Sequence, residues 1–288
     1  MSAIPPSTWV LAGAWLLAAL SLWFLSPGDR WPAWAPCLVL ACLVGLATGA
    51  LLPTGAAAVV LLATLCIGWR RARHLWVRGL LFCAIFLLAL MLALHAVPGF
   101  ANPLLFANVQ ASPGAAPVSL YLNLDKAVAG IVLCATFATP ARDAAGWRAV
   151  ALAWPIIVLT PVVVLGTGVA VGFAELAPKW HALGPVFLLL NLFVTCLAEE
   201  AFFRAFIQGR LEAALRGERH GATIAIAVAS VLFGVAHLGG GPVLAALATL
   251  AGIGYGLAWR RGGIEAAILA HFAVNAGRFV LLATPAMK

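Results

Sequence analysis

Two adjacent carboxylates and a guanidinium interrupt an apolar run in the stretch Thr195-Cys-Leu-Ala-Glu-Glu-Ala-Phe-Phe-Arg204. An ionised side chain at mid-bilayer costs several kcal/mol, so Glu199, Glu200 and Arg204 must face protein or water and form a candidate functional site. Glu200 and Arg204 are i and i+4, able to pair on one helical face, whereas Glu199 points about 100° away and keeps a free carboxylate. The first glutamate reads as available and the second as structural. Two more polar pairs follow: Phe233 with His237, and His271 with Asn275, each four residues apart and so on one face of a helix. Together these groups could hydrolyse a peptide bond, which needs a base for water, donors for the tetrahedral oxyanion and an acid for the leaving amine. A carboxylate withdrawn from water becomes more basic, which suits Glu199. Asn275 can donate without ionising, a neutral or protonated His271 can donate beside it, and His237 can orient the water or share its proton. Ser230, seven residues before His237, lies two helical turns away and reads as a packing residue, which disfavours acyl-enzyme chemistry.

These groups need helices in lipid to hold them. With 64% apolar and 9% charged residues in 288, and a mean hydropathy of +1.07, the chain lies outside the range of soluble domains. It reads as an all-α polytopic transmembrane bundle of about ten spans (8–10). The net charge of +8 does not imply nucleic acid, because the basic residues sit in short clusters between apolar spans rather than on one face. All six cysteines (Cys37, Cys42, Cys66, Cys83, Cys134, Cys196) lie in apolar stretches with no C-x-x-C pair, as expected of buried thiols without a redox role. Arginine far outnumbers lysine in an Ala-rich chain, which points to a GC-rich bacterial genome.

The segment from Thr8 to Leu25 has no basic residue before it and is expected to remain as the first span rather than be removed as a signal peptide. Further spans are expected at about 34–52, 56–69, 79–97, 127–139, 149–173, 183–215, 222–238, 242–259 and 264–283. The second, third and fifth are the least secure, since a crossing normally takes about 20 residues. The polar stretch Pro98 to Asp125 reads as an extramembrane loop. It divides the chain into accessory spans and loop at 1–125 and a core at 126–288. The basic residues Arg30, Arg70 to Arg73, Arg142, Arg148, Arg210, Arg216, Arg219, Arg260 and Arg261 then share the cytoplasmic side. Lys126, Lys179 and Lys288 fall on the other, with both termini outside the cytoplasm. At about 1.5 Å per residue, Glu199, His237, His271 and Asn275 fall in the middle of the bilayer, within reach of one cavity.

In order and spacing, Glu199-Glu200-x-x-x-Arg204, Phe233-x-x-x-His237 and His271-x-x-x-Asn275 resemble the three motifs of the CPBP family of intramembrane endopeptidases. This is the CAAX- and bacteriocin-processing family, also called the type II CAAX prenyl protease or abortive-infection family. The resemblance covers roughly Asp125 to Phe279 and leaves the first four spans outside it. It implies a glutamate-type membrane hydrolase, in which Glu199 and His237 activate water while His271 and Asn275 stabilise the oxyanion. Glu200 and Arg204 are the supporting ion pair and Phe233 a packing residue of the motif. The implied partners are the lipid bilayer and a membrane-anchored or membrane-proximal protein or peptide, and the implied location is a bacterial cytoplasmic membrane.

Three alternatives remain open. Glu199, His237 and His271 would also make two histidines and one glutamate, a ligand set for catalytic zinc, although no His-Glu-x-x-His helix is present and no cofactor is the expected state. An immunity factor or scaffold could bind a peptide in the same cavity without cutting it. A transporter could use the same charges, but no inverted repeat supports one. Blander readings suffice elsewhere: His74, His95, His181 and His220 as interfacial residues, Arg278 as snorkelling outward or capping the cavity, and Glu265 as solvated. Gly252, Gly254 and Gly256 read as sites of close helix approach.

Overall fold

The computed structural model describes residues 4–24, 33–109 and 118–283; Arg30, Trp31 and Lys288 lie outside them. The chain folds as an all-α bundle. In chain order the helices are α1 (Pro6–Leu20), α2 (Trp34–Ala47), α3 (Pro53–Arg71), α4 (Leu75–Ala93), α5 (Leu124–Phe137), α6 (Ala144–Leu152) and α7 (Trp154–Ala170). They are followed by α8 (Gly184–Ala214), α9 (Gly221–Val235) and α10 (Pro242–Leu281). Proline stands in the first turn of α1, α3, α7, α8 and α10, where its missing N–H is no loss and its fixed φ favours the start. Within lipid the helix is the form that satisfies its own backbone groups, and composition this apolar leaves few other options.

Each expected apolar segment is helical, but the count of ten crossings is not supported. Among the described residues six helices are long and apolar enough to cross: Pro6–Trp23, Pro53–Arg71, Leu75–Ala93, Ala144–Ala170, Gly184–Ala214 and Pro242–Leu281. The apolar helices Trp34–Ala47 and Gly221–Val235 are shorter. The 14-residue α5 extends about 21 Å against a hydrocarbon layer of about 30 Å. The expected third span is longer than its sequence boundaries, because the helix already begins at Pro53 and continues through Arg70 and Arg71, reaching 19 residues. The expected ninth and tenth spans form the two arms of α10, 242–261 and 264–281. Non-helical backbone at Gly262 and Gly263 separates them, and the φ of +75° at Gly263 suits glycine.

Helix α5 is the enclosed centre of the bundle. Eleven of its residues are buried, and it packs against α1, α3, α4 and α8. At one end of the bundle the Arg142 guanidinium donates to Leu22 O at 2.9 Å, while Trp23 Nε1 and Ala141 N both donate to Glu265 Oε1 at 2.7 Å. These bonds gather the ends of α1 and α5 and the start of the second α10 arm. Glu265 is therefore buried, contrary to the solvated position expected for it: the tryptophan and backbone donors replace water around its carboxylate.

Two antiparallel ribbons lie at the opposite end by helix direction. One, β1 (Leu104–Val109) with β2 (Val118–Tyr121), gives structure to part of the expected loop. Below it His95 Nδ1 meets Asp125 Oδ2 at 2.7 Å, and Asn102 Nδ2 donates to the same oxygen at 2.9 Å. His95 is thus a partner of a buried aspartate as well as a residue near a helix end. The other ribbon pairs β3 (Glu175–Leu176) with β4 (Leu282–Ala283) and ties the end of α10 to the approach to α8. The three α10 glycines accept close neighbours as expected: Gly252 faces Ser230, Gly254 faces Thr160 and Gly256 faces Gln208 and Ile226.

Candidate active site

The glutamates sit on the one short α-helical turn of α8, Leu197–Glu200, between two wider segments with i to i+5 bonding, Asn191–Cys196 and Ala201–Gln208. Such π-helical turns are uncommon and occur often at functional sites. Their effect is visible in the side chains. Asn191 and Cys196, five apart, are brought together, with Cys196 Sγ donating to Asn191 Oδ1 at 3.2 Å. Every side chain from Ala201 to Gln208 is buried. The turn is pressed against α5 at Gly130, where a Cβ atom would lie 2.8 Å from Ala198 Cα.

From this turn a line of polar contacts crosses the core. Arg204 Nε donates to Glu200 Oε2 at 3.0 Å with both side chains fully buried, the pairing that their i, i+4 spacing predicts. The other oxygen of Glu200 lies 2.7 Å from His271 Nδ1. A carboxylate paired with arginine accepts, so Nδ1 of His271 carries the hydrogen and its Nε2 faces the other glutamate, 3.8 Å from Glu199 Oε2. Glu200 is thus more than one half of a structural ion pair, because it also orients a histidine of the expected catalytic set. Glu199 is partly exposed, and its second oxygen lies 3.8 Å from Lys126 Nζ on α5.

Tyr255 stacks on the His271 ring with centroids 4.6 Å apart, and Phe233 meets the same ring edge-on at 5.5 Å. These contacts hold the imidazole plane. One turn along α10, Asn275 Nδ2 donates to Asn191 Oδ1 at 3.3 Å. His237 lies two residues beyond the end of α9, and its Nδ1 is 2.7 Å from Phe233 O. A carbonyl can only accept, so His237 Nδ1 carries a hydrogen and Nε2 of the neutral ring is left with its lone pair.

A cavity of about 90 Å³ opens beside this line, with Phe233, His237, Tyr255, His271, Asn275 and Arg278 among its lining residues. Three of the four residues expected to share one cavity therefore do so. Glu199 is not on that wall and approaches the set through His271 instead. The remaining lining is apolar, from α7 and both arms of α10, including Val164, Leu247 and Val274. Among the described residues no group of three or more His, Cys, Asp and Glu side chains is arranged to hold a metal ion.

Four residues of the site escape the sequence reading. Lys126 reads there as a topology marker, Cys196 as a buried thiol, and Asn191 and Tyr255 carry no signal of their own. Asn191 could be found only by allowing a five-residue helical period, and Tyr255 only by knowing that the first α10 arm faces the second.

Residues 179–277, 99 of the 288, match the family model described as Rce1-like: Type II CAAX prenyl endopeptidase Rce1-like. No curated protein and no solved structure matches the chain. All three motifs fall inside the matched segment, and the apolar helices around it make the chain an integral membrane protein. The resemblance drawn from Glu199-Glu200-x-x-x-Arg204, Phe233-x-x-x-His237 and His271-x-x-x-Asn275 is therefore matched by the family model, and over this segment the chain is similar to type II CAAX prenyl endopeptidases of the Rce1-like kind.

Proposed function

We propose that the protein is an intramembrane endopeptidase that hydrolyses a peptide bond of a membrane-anchored or membrane-proximal substrate with a water activated by Glu199 and His237. The observation that carries this reading is the contact line Glu199, His271, Glu200, Arg204, which holds an imidazole between two carboxylates inside a membrane bundle. The substrate peptide enters the cavity beside His237, His271 and Asn275. Glu199 and the bare Nε2 of His237 draw a proton from water as its oxygen bonds to the carbonyl carbon. The carbonyl oxygen becomes an oxyanion, which Asn275 Nδ2 and His271 Nε2 stabilise by donation. Because His271 Nδ1 is committed to Glu200, its Nε2 can donate only from the imidazolium, a narrower condition than the sequence implies. The C–N bond then breaks, and the proton held by Glu199 passes to the leaving amine.

Lys126 Nζ lies 3.8 Å from Glu199 Oε1, where the ammonium can hold the carboxylate in place for this step. We assign the segment 126–288 to the protease core and 1–125 to accessory spans and loop. We place the chain in a bacterial cytoplasmic membrane with both termini outside the cytoplasm, a topology consistent with the joined ends of α1, α5 and the second α10 arm. Proteomics of membrane extracts from cells carrying the native protein or Glu199→Ala tests the reading. One membrane-associated protein should accumulate uncut with the variant, and identical profiles would contradict it.

A further inference from the structure

Helix α8 carries four polar residues at intervals of four: Glu200, Arg204, Gln208 and Glu212. Residues so spaced stack along one side of a helix. The first three are fully buried, whereas Glu212 is partly exposed and lies 3.7 Å from Arg260 Nε. The ladder thus reaches from His271 in the core to the basic turn between the arms of α10. Its outer rungs are bonded directly: Arg204 Nε to Glu200 Oε2, and Gln208 Nε2 to Glu212 Oε1 at 3.0 Å. The middle rung is not. Arg204 Nη1 and Nη2 and Gln208 Oε1 are buried with no hydrogen-bond partner among the described residues.

The orphaned atoms lie against one turn of the first α10 arm. The Arg204 guanidinium carbon is 5.7 Å from the Tyr255 ring centre, and Gln208 Nε2 donates to Gly256 O at 3.1 Å. The amide of Gln208 cannot usefully flip, because Glu212 Oε1 and Gly256 O are both acceptors and require the NH2 group where it is. Its Oε1 is therefore fixed as an acceptor. Residue 256 is a glycine, and a Cβ there would lie 2.8 Å from that oxygen. The Tyr255 and Phe233 rings stabilise the arginine charge but supply no carbonyl or hydroxyl acceptor through their faces. Lipid supplies none either, and buried polar groups without partners are costly.

We propose that this interval binds an internal water, which accepts from the Arg204 guanidinium and donates to Gln208 Oε1, and that Gln208 is through it a positioning residue for His271. The chemistry selects the ligand. Chloride could accept from Arg204 but could not donate to an amide oxygen, and a cation would be repelled by the guanidinium; water does both and finds three polar partners. Held from both ends, Arg204 fixes Glu200, and Glu200 fixes the imidazole whose Nε2 meets the reaction.

The role in turnover rests on the protease reading above, but the water does not, which separates the two in the test. A structure of the native full chain in lipid, at a resolution that shows ordered water, should place a water within hydrogen-bond distance of an Arg204 Nη atom and Gln208 Oε1. A direct bond between Arg204 and Gln208, or a dry interval, would overturn the site whether or not a substrate has been found. Gln208→Leu removes the acceptor, and Gly256→Ala leaves the acceptor in place chemically but sets a Cβ 2.8 Å from Gln208 Oε1, where the water would approach it. In each the water should be lost and kcat should fall about tenfold with KM nearly unchanged, since small displacements of a catalytic group can cost up to ~100-fold. Native kcat in both variants, with the water gone, would overturn the positioning role.

Discussion

Replacing Arg204 by methionine removes the guanidinium that pairs with a carboxylate without exposure to solvent, and replacing Glu200 by leucine leaves the guanidinium equally stranded. Breaking one side of a buried pair typically costs about 3–5 kcal/mol, while exchanging both members for apolar residues of similar volume can be nearly neutral. The geometry adds an asymmetry, because Glu200 also accepts from His271 Nδ1. Leaving that donor unpaired costs about 1–3 kcal/mol more. Arg204→Met should therefore lose about 3–5 kcal/mol, Glu200→Leu about 4–8, and the double variant only about 1–3. At about 2–4 °C per kcal/mol, the first corresponds to a fall of about 6–20 °C in apparent Tm and the double variant to about 2–12 °C. Stability should recover in the double variant, but peptide cleavage should not, since His271 has lost the carboxylate that orients it. The assay is scanning fluorimetry in detergent beside cleavage of a membrane-proximal reporter peptide. Losses in Tm that simply add would show that the two residues are not energetic partners, and native cleavage by the double variant would remove Glu200 from the positioning of His271.

Three further outcomes follow from the geometry. Lys126→Met should change stability by less than about 1 kcal/mol, as for a partly exposed pair, yet slow turnover several-fold, and Lys126→Arg should largely preserve it; native turnover in Lys126→Met, measured as kcat, would place Lys126 outside the site. Gly130→Leu should lower the Tm by the equivalent of about 1–3 kcal/mol and depress cleavage, because the new side chain meets the Ala198 backbone on the turn that carries both glutamates; an unchanged Tm would show that α5 can retreat. Extensive chelation should leave turnover unchanged, and elemental analysis should find no stoichiometric zinc; activity lost to chelator and restored by zinc would instead make Glu199, His237 and His271 metal ligands.

What was legible in the sequence was whatever follows from a regular helical period. The Glu200–Arg204 pair and the shared face of His271 and Asn275 depend on a spacing of four, and both survive in the structure as contacts or common cavity lining. The contact between Asn191 and Cys196 depends on a spacing of five, which no residue type announces. Charge alone also misled. Glu265 beside two arginines suggested solvent, but burial is decided by the tryptophan and backbone donors that arrive from Trp23 and Ala141, far away in sequence. Hydropathy located the helices but does not fix the number of crossings, since it measures apolarity over a window and not whether the neighbours are lipid or protein. The enclosed, 14-residue α5 shows the difference.

Water activation depends most directly on Glu199, whose carboxylate lies 3.8 Å from both His271 Nε2 and Lys126 Nζ. The measurement is cleavage of a membrane-proximal peptide by purified protein and by Glu199→Gln, with Tm recorded on the same samples. The amide variant should keep a native Tm and lose cleavage, because glutamine preserves shape and cannot take a proton from water. Full cleavage by Glu199→Gln protein of native stability would contradict the role of Glu199 as the base for water.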